Sequence, residues 1–312
     1  MEEGWISLFE RKIFFPPFWL SATIDKFRTL VSFLIVSSIF IGIINLLLIY
    51  FCFLLLGLAL NLYILLAAFF LTFSIYNLNK LTDIAEDLVN APERAEYVIG
   101  KEKVILCFSI IAYIFALLLG ISTNILSVPI LLFPFFIGLI YSTKILSVFG
   151  LSRLKDIVFM KNFIVTLSWT VEAIFLSAIF LHGTSLTILL LFYFVFTKIF
   201  INAVSFDIRD IEGDRISGVE TIPVVFGRRK AKNLLLILNS TFIPWLAFSY
   251  LAGYFHQYLF VLIFAIAYGY WYILHFCKEG LKIGKSMDLL VDGEWIPIVL
   301  LCLITQYLVG FL

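Results

Sequence analysis

Charge is what this 312-residue chain has least of. Asp, Glu, Lys and Arg make up 14% of it, where about 25% is usual for a soluble domain. Hydrophobic residues reach 62%, and the mean hydropathy is +1.08. A soluble fold of this length has too little interior to hide so much apolar surface, which argues against a soluble enzyme and against a disordered tail. Cysteine is scarce as well. Cys52, Cys107, Cys277 and Cys302 lie in or beside apolar runs, with no CxxC pair and no histidine at ligand spacing. That argues against a disulfide-stapled secreted module and against a thiolate metal site, and leaves the role of small buried hydrophobe. No small-residue cleavage site follows a short apolar stretch near the N-terminus, so a cleaved signal peptide is not expected. The net charge of +1 gives no bulk attraction for nucleic acid.

Long apolar runs are what the chain has instead. A helix needs about 20 residues to cross a bilayer, and spans are expected near 29–51, 58–78, 103–121, 125–141, 157–181, 185–205, 233–252, 257–277 and 293–312. The run from Leu30 to Tyr76 is too long for one crossing and is divided near Gly57 and Asn61. The expected fold class is therefore all-α, a polytopic membrane bundle of about nine helices forming a single domain over 1–312. The 22 Lys and Arg then gather in the N-terminal segment and around the connections after the second, fourth, sixth and eighth spans, with Lys103, Lys161 and Lys198 inside the bounds of the adjoining spans. By the positive-inside rule the N-terminus is cytoplasmic and the C-terminus outside. Among the acids Glu172 falls well within a span, and Glu294 lies at the edge of the last one. Charged chemistry is expected at the cytoplasmic face, in loops near 77–102 and 205–232.

Two acidic motifs occupy those loops. The first runs Asn79-Lys-Leu-Thr-Asp83-Ile-Ala-Glu-Asp87. Steps of four drift only about 40° on a helix, so residues 79, 83 and 87 are expected on one face. The second is Asp207-Ile-Arg-Asp210-Ile-Glu-Gly-Asp214. Both share a DxxxD frame, in which Asp207 corresponds to Lys80, and this hints at two related halves. One such motif alone reads as solvated helix-end carboxylates. Two in one frame on one membrane face call for a counter-charge. Oxygen ligands without His or Cys point to Mg²⁺, shared with substrate phosphates. Two facing clusters can hold two Mg²⁺ and a diphosphate, with Lys155, Lys161, Arg209 and Arg215 completing the anion site.

These residues carry a family resemblance. The first motif resembles the NDxxDxxxD signature of the UbiA superfamily of intramembrane prenyltransferases: Asn79, Asp83 and Asp87 match, while Lys80 stands where the signature has Asp. The second resembles the family's DxxDxxGD segment through Asp207, Asp210, Gly213 and Asp214, and the match continues through Gly218, Thr221, Pro223, Val224 and Gly227. Tyr141-Ser142 ahead of Lys155 is similar to the family's YS segment and its following Lys. The resemblance implies an apolar tunnel for the prenyl tail and a transfer reaction in which Asp83, Asp87, Asp210 and Asp214 are catalytic. Asn79, Asp83, Asp210 and Asp214 would be the main Mg²⁺ ligands, assisted by Asp87 and Asp207, with Tyr141 and Lys155 on the phosphates. Its partners would be an isoprenyl diphosphate, a lipophilic acceptor and membrane lipids, with no nucleic acid and no protein partner implied. The expected acceptor is an aromatic ring of the quinone-precursor type; the alternative is geranylgeranylglyceryl phosphate, giving a lipid ether.

Other residues carry expectations of their own. Lys80 is expected to turn toward lipid headgroups, one helical step away from the metal-facing side. Glu172 is expected to be protonated and hydrogen-bonded between helices, near Ser168, Trp169 and Thr170; the competing role is the coupling group of a transporter. His182 and His256 are expected at short outer loops. A phosphotransferase acting on nucleotide-activated alcohols would carry DGxxAR, which does not occur. A catalytically dead scaffold would have Lys80 as its lesion.

Overall fold

The computed structural model describes residues 18–142, 159–181, 185–216, 218–278 and 286–309, without the side chains of 18–25, 85, 86, 90 and 138–142. The described residues are helical, with no strand. In chain order the helices are α1 (Phe18–Val36), α2 (Ile39–Leu55), α3 (Leu62–Thr82), α4 (Ile84–Asn90), α5 (Pro92–Val98), α6 (Glu102–Thr123), α7 (Ser127–Ser142) and α8 (Met160–Ala178). There follow α9 (Ser185–Ile216), α10 (Ile222–Phe226), α11 (Arg228–Ser240), α12 (Phe242–Leu251), α13 (Leu259–Phe276), α14 (Ser286–Leu290) and α15 (Trp295–Val309).

Each expected span overlaps a helix, but fewer than nine are long and apolar enough by themselves to cross a membrane. Five qualify among the described residues: α3, α6, α9, α11 with α12, and α13 with the turn before it; α1 and α2 make a sixth if taken as one bent span. Of the others, α7 carries Pro134 in its interior, α8 carries Lys161 and Glu172, and α15 has 15 described residues.

The expected division of the long apolar run near Gly57 is where the chain breaks. Gly57 takes φ +66°, and Leu58 N–H donates to Phe53 C=O at 2.9 Å, the pattern that ends a helix on a left-handed glycine. Asn61 then accepts from Ile64 N–H at 3.2 Å and starts α3. A second break was not anticipated. Ser37-Ser38 interrupts the first span, Ser38 sits at φ +67°, and the axes before and after differ by 72°. Inside a membrane the carbonyls so released need donors. Asn77 on α3 donates to Ser37 C=O at 3.2 Å, and the Lys80 ammonium donates to Val36 C=O and to Ser38 Oγ.

The core is built around α9, with an aromatic cluster at its centre. The Phe194 ring lies 5.0–5.8 Å from those of Phe51, Phe242 and Trp245. By contrast α6 exposes Phe108, Ile111, Phe115 and Leu118, the surface expected to meet lipid. Cys52, Cys277 and Cys302 are buried as expected, whereas Cys107 is exposed on α6.

Lys198 and Glu294 lie inside the bundle instead of at its cytoplasmic face. Lys198 is not in a loop: it sits within α9, completely buried, 2.5 Å from an equally buried Glu294. Its ammonium also donates to Ala265 C=O at 3.2 Å and faces the Tyr272 ring at 5.3 Å. The pair neutralises itself, so neither charge had to reach the surface. Glu172 meets its expectation of bonding between helices: Asn45 of α2 donates to it at 2.9 Å and to Thr72 of α3 at 2.6 Å.

Candidate active site

A cavity of about 290 Å³ opens between α2, α3, α5, α8, α9 and α14. Its one long wall is a stripe of α9. Ile199, Asn202, Ala203, Phe206, Asp207 and Asp210 all line it, and their spacing of three and four is that of one helical face. At 1.5 Å per residue the 32 residues of α9 extend about 48 Å, well beyond a hydrocarbon core of about 30 Å. The polar end of the stripe therefore projects past the apolar bundle. Ile35, Phe40, Ile41, Ile44, Val165, Trp169 and Trp295 supply the apolar walls.

The second acidic motif is held by cations. Lys161 at the start of α8 bridges Asp207 at 3.1 Å and Asp214 at 3.5 Å. Asn162 donates to Asp207 at 2.6 Å. Arg209 grips Asp210 with two bonds, 2.7 and 3.0 Å, and reaches Asp288 at 3.2 Å, its guanidinium lying 4.7 Å from the Phe206 ring. Guanidinium and ammonium groups thus face the carboxylates of this motif. Lys161, Asp207, Arg209 and Asp210 line the cavity; Asp214 is buried beside them through Lys161.

The first motif is arranged differently from the expected single face. Asp83 has φ −108° and ψ 18° and separates α3 from α4, so the continuous helix needed to align residues 79, 83 and 87 is interrupted. Asn79 is exposed and Asp83 half-buried, with Thr82 Oγ1 donating to Asp83 at 3.1 Å. Asp87 pairs with Arg94 at 3.7 Å, and it is Arg94 that lines the cavity. Arg215 is not brought to the site: it points outward and pairs with Glu212 at 3.6 Å. Lys155, His182 and the Tyr141 side chain lie outside the described residues. Among the described residues no three Asp, Glu, His or Cys side chains are gathered closely enough for a metal.

Lys80 corrects its expectation. It is 2% exposed, lines the cavity and is 5.6 Å from the Tyr97 ring. The break at Ser38 draws it inward, since the freed carbonyl and hydroxyl there need its protons more than lipid headgroups do.

Several lining residues were not singled out from the sequence: Arg94, Asn162, Asn202, Asp288 and Asp292. Asp288 and Asp292 repeat the DxxxD spacing a third time, a signal available in the chain. Asn202 donates to Asp292 at 3.1 Å. Burial, with Asp288 alongside, pushes the Asp292 carboxyl up to about 7.

The oxygen-only donor set fits a hard cation. Asn162 Oδ1 is buried without a hydrogen-bond partner in the structure, and such an orphaned acceptor beside Asp207 is one that a cation or a cation-bound water satisfies.

Comparison with known proteins settles the family. The model of the UbiA prenyltransferase family matches residues 57–282. The chain belongs to that family. It is an integral, multi-pass membrane prenyltransferase, as the apolar helices and the family match together require. One curated relative is the digeranylgeranylglyceryl phosphate synthase of Sulfolobus acidocaldarius, 28% identical over 218 residues, covering 68% of this chain and 74% of the relative. A solved UbiA homologue from Archaeoglobus fulgidus, bound to GPP and Mg²⁺, superimposes with a TM-score of 0.67 at 18% identity, over 90% of this chain and all of that one. A digeranylgeranylglyceryl phosphate synthase structure gives a TM-score of 0.56 at 19% identity, over 88% of this chain and 97% of that one. Likeness at such identities shows the shared fold. Family membership also removes the transporter reading of Glu172.

Proposed function

We propose that this UbiA-family enzyme transfers an isoprenyl group from an isoprenyl diphosphate to a glyceryl phosphate lipid acceptor, forming an ether. The single observation that carries the acceptor is the 28% identity to a digeranylgeranylglyceryl phosphate synthase over two thirds of the chain. It supports the lipid-ether acceptor over the aromatic ring first expected. The cavity's mixture of polar mouth and apolar wall supports the donor, which has a charged head and a hydrocarbon tail.

Mg²⁺, found with the diphosphate in the Archaeoglobus fulgidus homologue, would be held here by Asp207, Asp210, Asp214 and Asn162 from one side and by Asn79, Asp83 and Asp87 from the other. When bound, it would draw charge from the diphosphate oxygens and ease their departure. Arg209 and Lys161 then exchange their carboxylate partners for diphosphate oxygens and stabilise the leaving group as the C1–O bond breaks and its electron pair goes to oxygen. Phe206 and Trp169 present ring faces to the developing allylic cation and keep water away from it. The acceptor hydroxyl oxygen bonds to C1 as its proton passes to the departing diphosphate. By the positive-inside rule the N-terminus and both motif loops are cytoplasmic and the C-terminus outside.

Mass spectrometry of products from the purified protein, Mg²⁺, geranylgeranyl diphosphate and a panel of acceptors tests this. The expected product is the diether phosphate. A prenylated aromatic ring, with glyceryl phosphate lipids left unchanged, would reverse the reading.

A further inference from the structure

We infer that Lys80 and Arg94 form a second anion site in the cavity, separate from the carboxylate-lined wall, which takes the phosphomonoester head of the acceptor. The inference rests on the acceptor class proposed above.

It starts from an imbalance of charge. On the α9 and α14 side every cavity carboxylate has a partner: Lys161 for Asp207, Arg209 for Asp210 and Asp288, Asn202 for Asp292. On the α3 and α5 side the charges are positive. Lys80 is 2% exposed, yet its three bonds go to neutral acceptors: Val36 C=O, Ser38 Oγ and Asn77 Oδ1. No carboxylate among the described residues pairs with it. Those bonds fix the amino group in place through neutral acceptors, the Asp87 carboxylate acts on it only from beyond ion-pair distance, and a buried cation so placed gains from an added anion. Arg94 lines the same cavity, and Tyr97, on the same short helix, brings that helix against Lys80. Arg94 spends one nitrogen on Asp87 at 3.7 Å, longer than a charge-assisted hydrogen bond, so its fork retains donors for a phosphate.

Two substrates with two anionic heads need two places. A diphosphate bound through a cation belongs with the carboxylates of the two acidic motifs. A monophosphate belongs where positive charge is in excess. Lysine at position 80 fits that division, because the aspartate of the family signature would repel the second anion. The pinning at Ser38 also sets the second site beside the break in the first span, next to the apolar walls that Ile35 and Ile41 provide for the acceptor's chain.

Steady-state kinetics test this with Lys80→Met and Arg94→Gln, using geranylgeranyl diphosphate as donor and geranylgeranylglyceryl phosphate or its dephosphorylated alcohol as acceptor. Each variant is expected to raise KM for the phosphorylated acceptor about tenfold or more, leave KM for the donor within about twofold, and leave KM for the alcohol unchanged. Inorganic phosphate should compete with the phosphorylated acceptor and not with the donor. A rise confined to donor KM would place the diphosphate at Lys80 and overturn the inference. Unchanged acceptor KM in a wild-type enzyme that does use the phosphorylated acceptor overturns the second site alone. Wild-type protein inert toward that acceptor overturns the proposed reaction and this site together. Should Lys80→Met fail to fold for want of its bonds at Ser38, Arg94→Gln, on a half-exposed side chain, still decides the outcome.

Discussion

In the proposed reaction, Asp83 and Asp210 are the metal ligands expected to matter most. Both stand at helix ends or on the projecting part of α9, outside the packed aromatic core. Asp83→Ala and Asp210→Ala are each expected to lower turnover at least about 100-fold, because a lost metal ligand removes several kcal/mol of stabilisation at the transition state. The melting temperature in detergent should stay close to wild type, since neither side chain fills the core. Near-normal kcat in either variant would show that the carboxylate is only a solvated helix end. Asp210→Ala also releases Arg209 from its two-bond grip, leaving Asp288 as its partner. Lys80 makes the same point from the other side: a residue's neighbours, more than its type, decide whether it faces lipid or substrate.

At the scale of elements, a buried ion pair ties α9 to the start of α15. Lys198 and Glu294 have no exposure, so removing one partner strands the other. Lys198→Met is expected to destabilise the protein by about 3–5 kcal/mol. Lys198→Met combined with Glu294→Gln should recover much of that loss, because no unpaired charge then remains. Thermal unfolding followed by tryptophan fluorescence measures both. Equal loss in the single and double variants would mean that packing, and not charge, sets the cost. The same two elements border the cavity through Ile199 and Trp295, so the single variant should also weaken donor binding.

For the whole molecule, the proposed metal and diphosphate should bind cooperatively. Motif carboxylates from two loops must approach a diphosphate of the same sign, and only added positive charge makes that favourable. Lys161 pairs with Asp207 and Asp214, and Arg209 with Asp210. Calorimetry with a non-hydrolysable diphosphate analogue is expected to show much tighter binding with Mg²⁺ than with EDTA. Equal affinity in both would mean that the protein's own cations suffice and that no metal bridge exists.

Much of this was legible in the chain. Apolar runs separated by basic connections mark a membrane bundle, because the bilayer sets the length of a helix and the cost of a charge. Gly57 and Asn61 mark a helix boundary through local backbone preferences, and the second acidic motif supplies two residues, Asp207 and Asp210, that line the cavity. Other features depended on contacts between segments far apart in sequence. The break at Ser38 is stabilised by Asn77 and Lys80 of another helix, and it is this that turns Lys80 inward. Lys198 lies inside an expected span, and the partner that lets it stay there, Glu294, is far away in sequence. Asp288 and Asp292 carry the motif spacing, but their place in the cavity arises from α14 folding back on α9. Spacing along a helix is local and can be read from the sequence, whereas the partner that satisfies a buried charge is supplied by the tertiary structure.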